Sequence, residues 1–269
     1  MTLTQTPGAF ARVTAIEALP LSGTDADANT SDLAAAVAAR LLERADVPAA
    51  TIDFLILCTE TPDFALPTTA CMVQTRLGIP RDVGALDIIH GAAGFAYGLG
   101  LAKALIESGQ ADRVLVVTAD TRGTHGDRFE AASGPLADGA TATLVEKSAG
   151  DAAYIAGVSL GTDGNDRSSI SGSDQRASAL VSQVLAAAGA SAGDVDVFLL
   201  HALSSPEAIG PDIHSENVVL ATDPIDTGSS AIPTALADAV ARGRLSSGSR
   251  VVIAGLDDGV SWGGALLTW

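Results

Sequence analysis

The sequence predicts an α/β fold built from two copies of one βαβ unit. The clearest observation is an internal repeat: Ile52–Cys58 returns 143 residues later as Val195–His201, and Arg113–Val117 returns 137 residues later as Arg250–Ala254. The order of elements is repeated too, because an alanine-rich helical run precedes the first strand in both halves and a small-residue segment opens the helix before the second. Offsets this long indicate a duplicated unit rather than a solenoid. A duplication predicts a shared site between the copies.

Hydrophobic periodicity, capping residues and the positions of Pro and Gly predict the elements of the first half. An Ala- and Leu-rich helix is predicted at Leu33–Arg44, after the capping residues 30–32, and the continuous apolar run 54–58 is typical of a strand buried on both faces. The next helix is predicted at Pro67–Leu77, with proline near its first turn. The other predicted elements are a strand at 85–89, a long apolar helix at 93–108 closed by Gly109, a strand at 114–118, and antiparallel or edge strands at 139–145 and 154–159.

The second half is predicted to repeat strand, helix and strand. A stretch rich in Gly, Ser and Asp at 161–174 is typical of a loop, and divides the chain into an N-terminal half (1–160) and a C-terminal half (161–269) of one compact unit. Because apolar strands alternate with crossover helices, we expect sheets that are covered on both faces. The elements predicted here are a strand at 218–221, a helix at 233–241, and strands at 251–254 and 265–269.

Composition and charge exclude several classes of function. The chain has 269 residues and 47% hydrophobic content, enough to bury one large two-part core. Its net charge of −17 is spread through loops and helix ends and would repel phosphates, so nucleic acid is not expected as a partner. The N-terminus lacks a signal pattern, and no apolar run reaches the roughly 18 residues of a membrane span. We therefore expect a cytoplasmic protein without a membrane partner.

Cysteine, histidine and acid spacing predicts neither a metal site nor a cofactor. Cys58 and Cys71 lie in apolar contexts without metal spacing, and are interpreted as reduced, buried packing residues. His125 and His214 lie in polar loops and are expected to be solvated. The adjacent acids Asp257–Asp258 are expected to be solvated in a turn.

Two strand-to-helix junctions are the strongest candidates for a functional site. Buried helix N-termini present unpaired N–H groups and partial positive charge. The first junction is the segment 87–95, whose small residues allow a sharp turn and close backbone approach. The second half contributes His201 at the end of a strand and Asp226 just before a helix. We expect this histidine and this acid to converge on the first-half turn.

Several segments in a fixed order resemble the thiolase-like condensing enzymes, and among them 3-oxoacyl-(acyl-carrier-protein) synthase III, or ketosynthase III. The similarity begins at about Ala49, and this chain would be a shortened and divergent member. The resemblance implies a thiolase-like fold of two fused βαβ copies in five αβαβα layers. The segments that carry it are 66–74, 77–79, 87–95, 136–140, the strand ending in His201, 227–233 and 259–263.

The resemblance also implies a catalytic constellation. The family uses a Cys nucleophile at the N-terminus of the buried helix, a His and an Asn, for acyl transfer followed by decarboxylative condensation. Position by position, the nucleophile corresponds to Ala92, the His to His201 and the Asn to Asp226. The family's oxyanion-hole glycine corresponds to Asp258, whose amide would act with the backbone at Ala92. Ala92 brings no nucleophile, and a carboxylate at 258 would oppose developing negative charge.

Further departures concern the substrate. The family's aromatic gate corresponds to Leu66, and the resemblance implies an acyl pocket formed by Leu66, His90 and Phe95. The family's Trp- and Arg-containing insertion, which holds the nucleotide of coenzyme A, is replaced by a short loop of small and polar residues at 22–31. The donor is therefore expected to be an acyl-carrier-protein or coenzyme A thioester, with nucleotide recognition in doubt.

Three interpretations of Ala92 are open. The chain is a non-condensing partner subunit of an active synthase; or it is an acyltransferase or 3-oxoacyl synthase with a Cys-His-Asp site that carries a Cys→Ala change; or His201 and Asp226 act as a base in acyl transfer or decarboxylation without a covalent intermediate. The family implies a dimer in which the strand at 114–118 pairs across a twofold axis. The neighbour is either an identical chain or an active ketosynthase, in fatty-acid or polyketide-type metabolism.

Overall fold

The fold is two five-stranded sheets of identical strand order, separated by a layer of helices. The computed structural model describes residues 9–19, 28–121, 137–150, 153–164, 173–201, 209–210, 213–221, 225–257 and 261–269. The elements of the first half are β1 Phe10–Ala18, α1 Thr30–Arg44, β2 Phe54–Cys58, α2 Thr69–Leu77, β3 Gly84–Ile88, α3 Gly94–Glu107, β4 Arg113–Asp120 and β5 Gly139–Ser148. Those of the second half are β6 Tyr154–Thr162, α4 Ser173–Ala187, β7 Val197–Leu200, β8 Val218–Leu220, α5 Ala231–Ala241, β9 Arg250–Asp257 and β10 Ser261–Thr268.

The sheet topology confirms the duplication. The first sheet has the order β1-β5-β4-β2-β3 and the second has the order β6-β10-β9-β7-β8. In each sheet the last three strands of that order are parallel, and the other two pairings are antiparallel. The crossovers repeat as well, since Asp53 and Asp196 each exchange backbone or carboxylate hydrogen bonds with the start of the neighbouring strand, at Arg113 and Arg250.

Three apolar clusters account for the layers. The central cluster joins α3 and α5 to the inner faces of both sheets, with Phe95 and Leu236 fully buried. A second cluster packs α1 and α2 on the outer face of the first sheet, and a third packs α4 on the outer face of the second. The layers therefore run helix, sheet, helix, sheet, helix, as the five-layer αβαβα prediction requires.

Carboxylate side chains hold the first turns of α1 and α2. The α1 start is closed reciprocally, because the Asn29 N–H donates to the Asp32 carboxylate (3.0 Å) and the Asp32 N–H donates to the Asn29 carbonyl (3.0 Å). The carboxylate of Asp87 on β3 accepts the first N–H groups of α2, from Thr69 (2.7 Å) and Ala70 (2.8 Å). That carboxylate fixes the end of strand β3 beside the loop that enters α2.

Most predicted elements are present with shifted ends. The strand at 54–58 has the predicted limits, whereas α1 begins at Thr30, among the residues predicted to cap it, and α2 begins at Thr69 instead of Pro67. Strand β1 was not predicted, and its alternation is broken where its pairing with β5 shifts register between Val13 and Ala15. The predicted inter-half loop is partly replaced by structure, since β6 extends to Thr162 and α4 begins before residue 174.

The predicted boundary between residues 160 and 161 falls inside β6. That strand pairs with β10 and so belongs to the second sheet, which places the change of sheet between Ser148 and Tyr154. Both halves also share the central cluster. A division into two halves at residue 160 stays a prediction.

The predicted pairing of strand 114–118 across a twofold axis is wrong for this fold. Strand β4 is flanked on both sides, by β2 and by β5, so its backbone groups are already paired within the sheet. The outer strands of the first sheet are β1 and β3. Sheet extension through a second chain is therefore possible only at one of these edges.

Candidate active site

A sharp turn brings Ala92 to the opening of the buried helix α3. Gly91 has φ +44°, a conformation that favours glycine, and begins the 3₁₀ turn Gly91–Ala93 that leads into α3. The Gly94 N–H donates to the carbonyl of His90 (3.0 Å), which closes the turn. Ala92 is 3% exposed. The position predicted for the nucleophile therefore lies at a buried helix N-terminus, where it presents a methyl group.

Strand β9 connects Ala92 to the second half. A Cβ atom on Gly255 would lie 2.3 Å from the Ala92 carbonyl oxygen, so the two backbones are in direct contact. The preceding residue, Ala254, accepts a hydrogen bond from the His201 N–H (3.0 Å). Ala92 and His201 thus border consecutive residues of one strand, as the duplicated fold predicts.

His201 and Asp226 form a hydrogen-bonded pair. The Nε2 atom of His201 lies 3.0 Å from Oδ2 of Asp226, and both side chains are about one-tenth exposed. The other oxygen of Asp226 accepts the N–H of Gly228 (2.8 Å), which orients the carboxylate. An ionised carboxylate only accepts hydrogen bonds, so Nε2 carries the proton that points to Asp226.

The second ring nitrogen of His201 differs from the first. Nδ1 is buried and has no hydrogen-bond partner among the described residues. In a neutral imidazole whose Nε2 is protonated, Nδ1 holds the lone pair. A buried polar atom without a hydrogen-bond partner costs free energy. We therefore expect Nδ1 to bind a substrate group or a water molecule.

Other nucleophilic side chains near the turn are engaged elsewhere. Cys58 is fully buried, donates its thiol to the Gly94 carbonyl (3.2 Å), and has a pKa raised above that of an ordinary thiol, first by burial and then by Asp120 and Asp87. Ser229 donates its hydroxyl to Asp120 (2.5 Å). Because both groups are buried and hydrogen-bonded, neither is available as a nucleophile at this turn.

The comparisons with known proteins agree with this architecture. The profile of 3-Oxoacyl-[acyl-carrier-protein (ACP)] synthase III matches residues 86–164, and the profile of its C-terminal region matches residues 214–269. A β-ketoacyl-[acyl-carrier-protein] synthase III of Dinoroseobacter shibae is 33% identical over 276 residues, covering 89% of this chain and 84% of its own length. The chain belongs to the 3-oxoacyl-[acyl-carrier-protein] synthase III family.

Further relatives support the same assignment. The family member of Streptomyces coelicolor named synthase III 2 is 32% identical, over 89% of this chain and 79% of its own. A crystal structure of a 3-oxoacyl-(acyl-carrier-protein) synthase III superposes with a TM-score of 0.84 at 28% identity, covering 97% of this chain and all of its own. The Pseudomonas aeruginosa enzyme gives 0.80 at 25% identity, over 97% and 98%. These similarities confirm the predicted ketosynthase III-like family and thiolase-like fold.

The three predicted acyl-pocket residues of this family member lie in different surroundings. Leu66 is 86% exposed in the loop before α2. His90 is half-buried, and its ring stacks on Tyr97 with the centroids 4.3 Å apart. Phe95 is fully buried in the central cluster. Their common role in an acyl pocket stays a prediction.

The surroundings of two acids in this synthase III family member were not predicted from the sequence: Asp120 was not singled out, and Asp257 was expected to be solvated. Asp120 is fully buried and accepts the Ser229 N–H (2.9 Å) and hydroxyl, and Asp257 contacts Gly91, although a solvated turn was predicted for it. The duplication could have linked these two acids in the sequence, because residues 120 and 257 are 137 residues apart, the same offset that relates Arg113–Val117 to Arg250–Ala254. Asp258, predicted at the oxyanion hole, lies outside the described residues, as does His125.

Three further observations concern the cysteines, metal ligands and membrane-spanning helices. Cys71 is half-buried, so the prediction that both cysteines are buried holds only for Cys58. The described residues contain no group of three or more His, Cys, Asp or Glu side chains placed to hold a metal ion. None of the described helices has the length and apolar character needed to cross a bilayer.

Proposed function

We propose that this chain takes part in acyl thioester metabolism of the fatty-acid or polyketide type as a non-condensing partner subunit of an active ketosynthase. The observation that carries the proposal is the methyl group of Ala92 at the opening of α3, where a covalent acyl-enzyme would need a thiol. A helix N-terminus can lower the pKa of a thiol and stabilise an oxyanion, but it cannot form the acyl bond itself.

The edge at β3 supports the partner role. Three of the large apolar side chains that are most exposed on the described residues flank this edge: Phe64 (57%), Leu66 (86%) and Ile89 (61%). The N–H groups of Thr69 and Ala70 at the start of α2 donate to the Asp87 carboxylate, which holds the end of the loop that contains Phe64 and Leu66 beside β3. An unpaired strand edge with exposed apolar neighbours favours pairing with another chain.

Co-purification with an active synthase of the same organism tests this role. We expect the two chains to co-elute as a heterodimer and to remain associated by native mass spectrometry. Leu66→Asp and Ile89→Asp are expected to weaken the pair by more than tenfold in Kd, because each buries a charge at the interface. The matched control is Leu160→Asp, on an exposed position of β6 in the other sheet, which should leave Kd unchanged. A homodimer indifferent to every synthase offered would contradict the proposal.

A second candidate function is favoured by Nδ1 of His201, which has no hydrogen-bond partner in the described parts of the chain. Oriented by Asp226, that nitrogen would act as a general base in direct transfer of an acyl group from a carrier thioester or coenzyme A thioester, or in decarboxylation. Turnover of acyl thioesters by the unaltered chain would support it. His201→Ala and Asp226→Ala should then abolish product formation, whereas His214→Ala, at an exposed position, should not. Equal background rates in all four proteins would exclude it.

The codon for residue 92 in the gene tests the remaining interpretation. A cysteine codon would mean that Ala92 replaces a natural nucleophile, and the proposal would become acyl transfer or condensation by a Cys-His-Asp site. A natural alanine codon supports the partner role or the His201–Asp226 base. A cytoplasmic location and an acyl-carrier-protein or coenzyme A thioester as ligand are part of the proposal in each case.

A further inference from the structure

The two helix openings are related by the duplication. Gly91 and Gly228 are 137 residues apart, have φ +44° and +61°, and begin the 3₁₀ turns that lead into α3 and α5. Strands β4 and β9 end at Asp120 and Asp257, also 137 residues apart. Each half of the chain therefore places an aspartate at the end of the strand that faces the opposite helix opening.

In one copy the aspartate caps the turn. Asp120 accepts the N–H (2.9 Å) and the hydroxyl of Ser229 through one carboxylate oxygen, and the Glu60 N–H (2.8 Å) through the other. The hydroxyls of Thr59 and Thr61 donate to that second oxygen as well. These donors satisfy the buried charge, so this copy is a structural contact between the halves.

In the other copy the aspartate faces the candidate site. A Cβ atom on Gly91 would lie 2.5 Å from Oδ1 and 2.7 Å from Cγ of Asp257, so the carboxylate packs directly on the residue that precedes Ala92. The hydroxyl of Ser261 lies 3.5 Å from its other oxygen. Asp257 is half-buried, so its charge is screened less than that of a solvated carboxylate.

The described elements packed on this turn carry few other charges. Among the described residues of the elements packed on it, β9 brings Asp257, β10 brings no titratable side chain, and the turn before α5 follows Asp226. His90 precedes the turn, and His201 is paired with Asp226. The only described cations on α3 and β9, at Lys103 and at the far end of β9, are ion-paired elsewhere.

We infer that Asp257 determines the charge accepted at residue 92: its carboxylate opposes the helix N-terminus and excludes a thiolate or an oxyanion from that position. The inference rests on the proposed function only in taking Ala92 as the natural residue. The chain then differs from a condensing enzyme in two independent ways, because the nucleophile is absent and the field that would activate one is offset. A cysteine at residue 92 is not sufficient to restore covalent chemistry.

The test introduces a thiol and measures its ionisation. Ala92→Cys is made in a Cys71→Ser background, with and without Asp257→Asn, and the alkylation rate by iodoacetamide is followed against pH by peptide mass spectrometry. A like charge raises the pKa of a thiol, so we expect the introduced thiol alone to titrate above the ordinary value of about 8.5. Asp257→Asn should increase its reactivity near pH 7 by about tenfold, equivalent to one pKa unit.

Two controls separate the charge from the shape of the side chain. Asp238→Asn removes the same charge from an exposed ion pair with Arg242 and should change reactivity by less than about twofold. Asp257→Glu retains the charge and should retain the low reactivity. Cys58, fully buried, should stay unlabelled in the folded protein.

Acylation gives a second readout of the same inference. With an acyl thioester donor, the introduced thiolate would form a new carbon–sulfur bond as the donor's carbon–sulfur bond breaks, and the donor sulfur would leave as a thiolate that takes a proton from water. We expect intact-mass acylation with Ala92→Cys plus Asp257→Asn at a rate about tenfold above that with Ala92→Cys alone.

Equal alkylation profiles with and without Asp257→Asn would overturn the inference, as would an introduced thiol that already titrates well below 8.5. If Asp257→Asn does not fold, by circular dichroism, Asp257→Ser replaces it with the same expectation. Co-purification tests the partner role separately. The inference about Asp257 can therefore be wrong while the partner role is right, and the reverse.

Discussion

The two helix openings have the same backbone and different chemistry. Both begin with a glycine of positive φ, yet the turn Gly228–Ser230 is held by hydrogen bonds from Ser229 to Asp120, whereas in Gly91–Ala93 the first residue packs on Asp257 and the second carries a methyl group. One opening has become a structural joint between the halves and the other a candidate site. Duplication thus retains the geometry of a turn, while individual side chains decide what the turn does.

The strands beneath the openings differ in the same sense. Thr118 on β4 exchanges hydroxyl hydrogen bonds with Ser230 (2.8 Å) and Thr141 (2.7 Å). The corresponding residue of β9 is Gly255, which has no side chain and lets the backbone of Ala92 approach. The first copy is therefore filled with hydrogen-bonding side chains, and the second is kept open for close backbone contact.

Replacement of Asp120 should have the largest effect on stability. Asp120→Ala removes the acceptor of the Ser229 and Glu60 N–H groups and of the Thr59 and Thr61 hydroxyls, so we expect a loss of about 3–5 kcal/mol in the free energy of unfolding, measured by urea denaturation. The mirror change, Asp257→Ala, should cost less than about 1 kcal/mol, because that carboxylate is half-buried. Equal losses would mean that both openings are structural joints.

Replacement of Gly255 tests the close approach. In Gly255→Ala the new Cβ would overlap the Ala92 carbonyl oxygen, and backbone cannot move aside as a flexible side chain can, so we expect a loss of about 2–3 kcal/mol. The matched control is Gly193→Ala, where a Cβ has no neighbour within 4 Å, and the change should stay within about 0.5 kcal/mol. Thermal unfolding measures both, and a neutral Gly255→Ala would show that the backbones can separate.

Replacement of Asp226 should move a proton on His201. In Asp226→Asn the amide oxygen can keep the hydrogen bond from the Gly228 N–H, which turns the amide N–H₂ toward Nε2. Nε2 must then accept, so the proton moves to Nδ1. Imidazole ¹⁵N spectra should show the change of tautomer, with exposed His214 as the internal reference. An unchanged tautomer would contradict the assigned pairing.

The smallest expected effect concerns the turns before β2 and β7. The pKa of Asp194 is held below its usual value by the N–H and then the hydroxyl of Ser191, with a further contribution from Arg250. The equivalent turn in the first half uses Thr51, whose hydroxyl donates to the Pro48 carbonyl and carries no charge.

The sign of this pH dependence follows from the lowered pKa. Any stabilisation by Asp194 is present above the ordinary aspartate pKa of about 4, and it is lost as the pH falls through the lower value of the folded state. Carbon NMR titration should place the midpoint below that ordinary value, and Ser191→Ala should raise it. A titration midpoint of Asp194 that is the same in Ser191→Ala would contradict the hydrogen bond assigned to the Ser191 hydroxyl.

Local pattern predicted much of the architecture. The apolar run Phe54–Cys58 has its predicted limits because a strand buried on both faces has no polar residue within it. Strand β1 was missed, since its alternation is irregular and its partner β5 lies more than 100 residues away. The central place of β4 was missed for a related reason: pairing order within a sheet is a property of long-range contacts, not of any one strand.

The candidate site divides in the same way. Ala92, His201 and Asp226 could be named from motifs, because residue type and spacing carry the resemblance. The hydrogen bond between His201 and Asp226, the unpartnered Nδ1 and the contact of Asp257 with Gly91 could not, because side-chain geometry is set only when the strands are in place.

The sequence by itself determined that two βαβ copies form this chain and that residue 92, at the opening of α3, is an alanine with no nucleophilic side chain. Both are covalent facts, readable from residue order. Only the tertiary structure decided which aspartate became a joint and which faces the site, because the contact of Asp120 with Ser229 spans 109 residues and that of Gly91 with Asp257 spans more. Contacts at such separations form only when both sheets have folded against the shared helices.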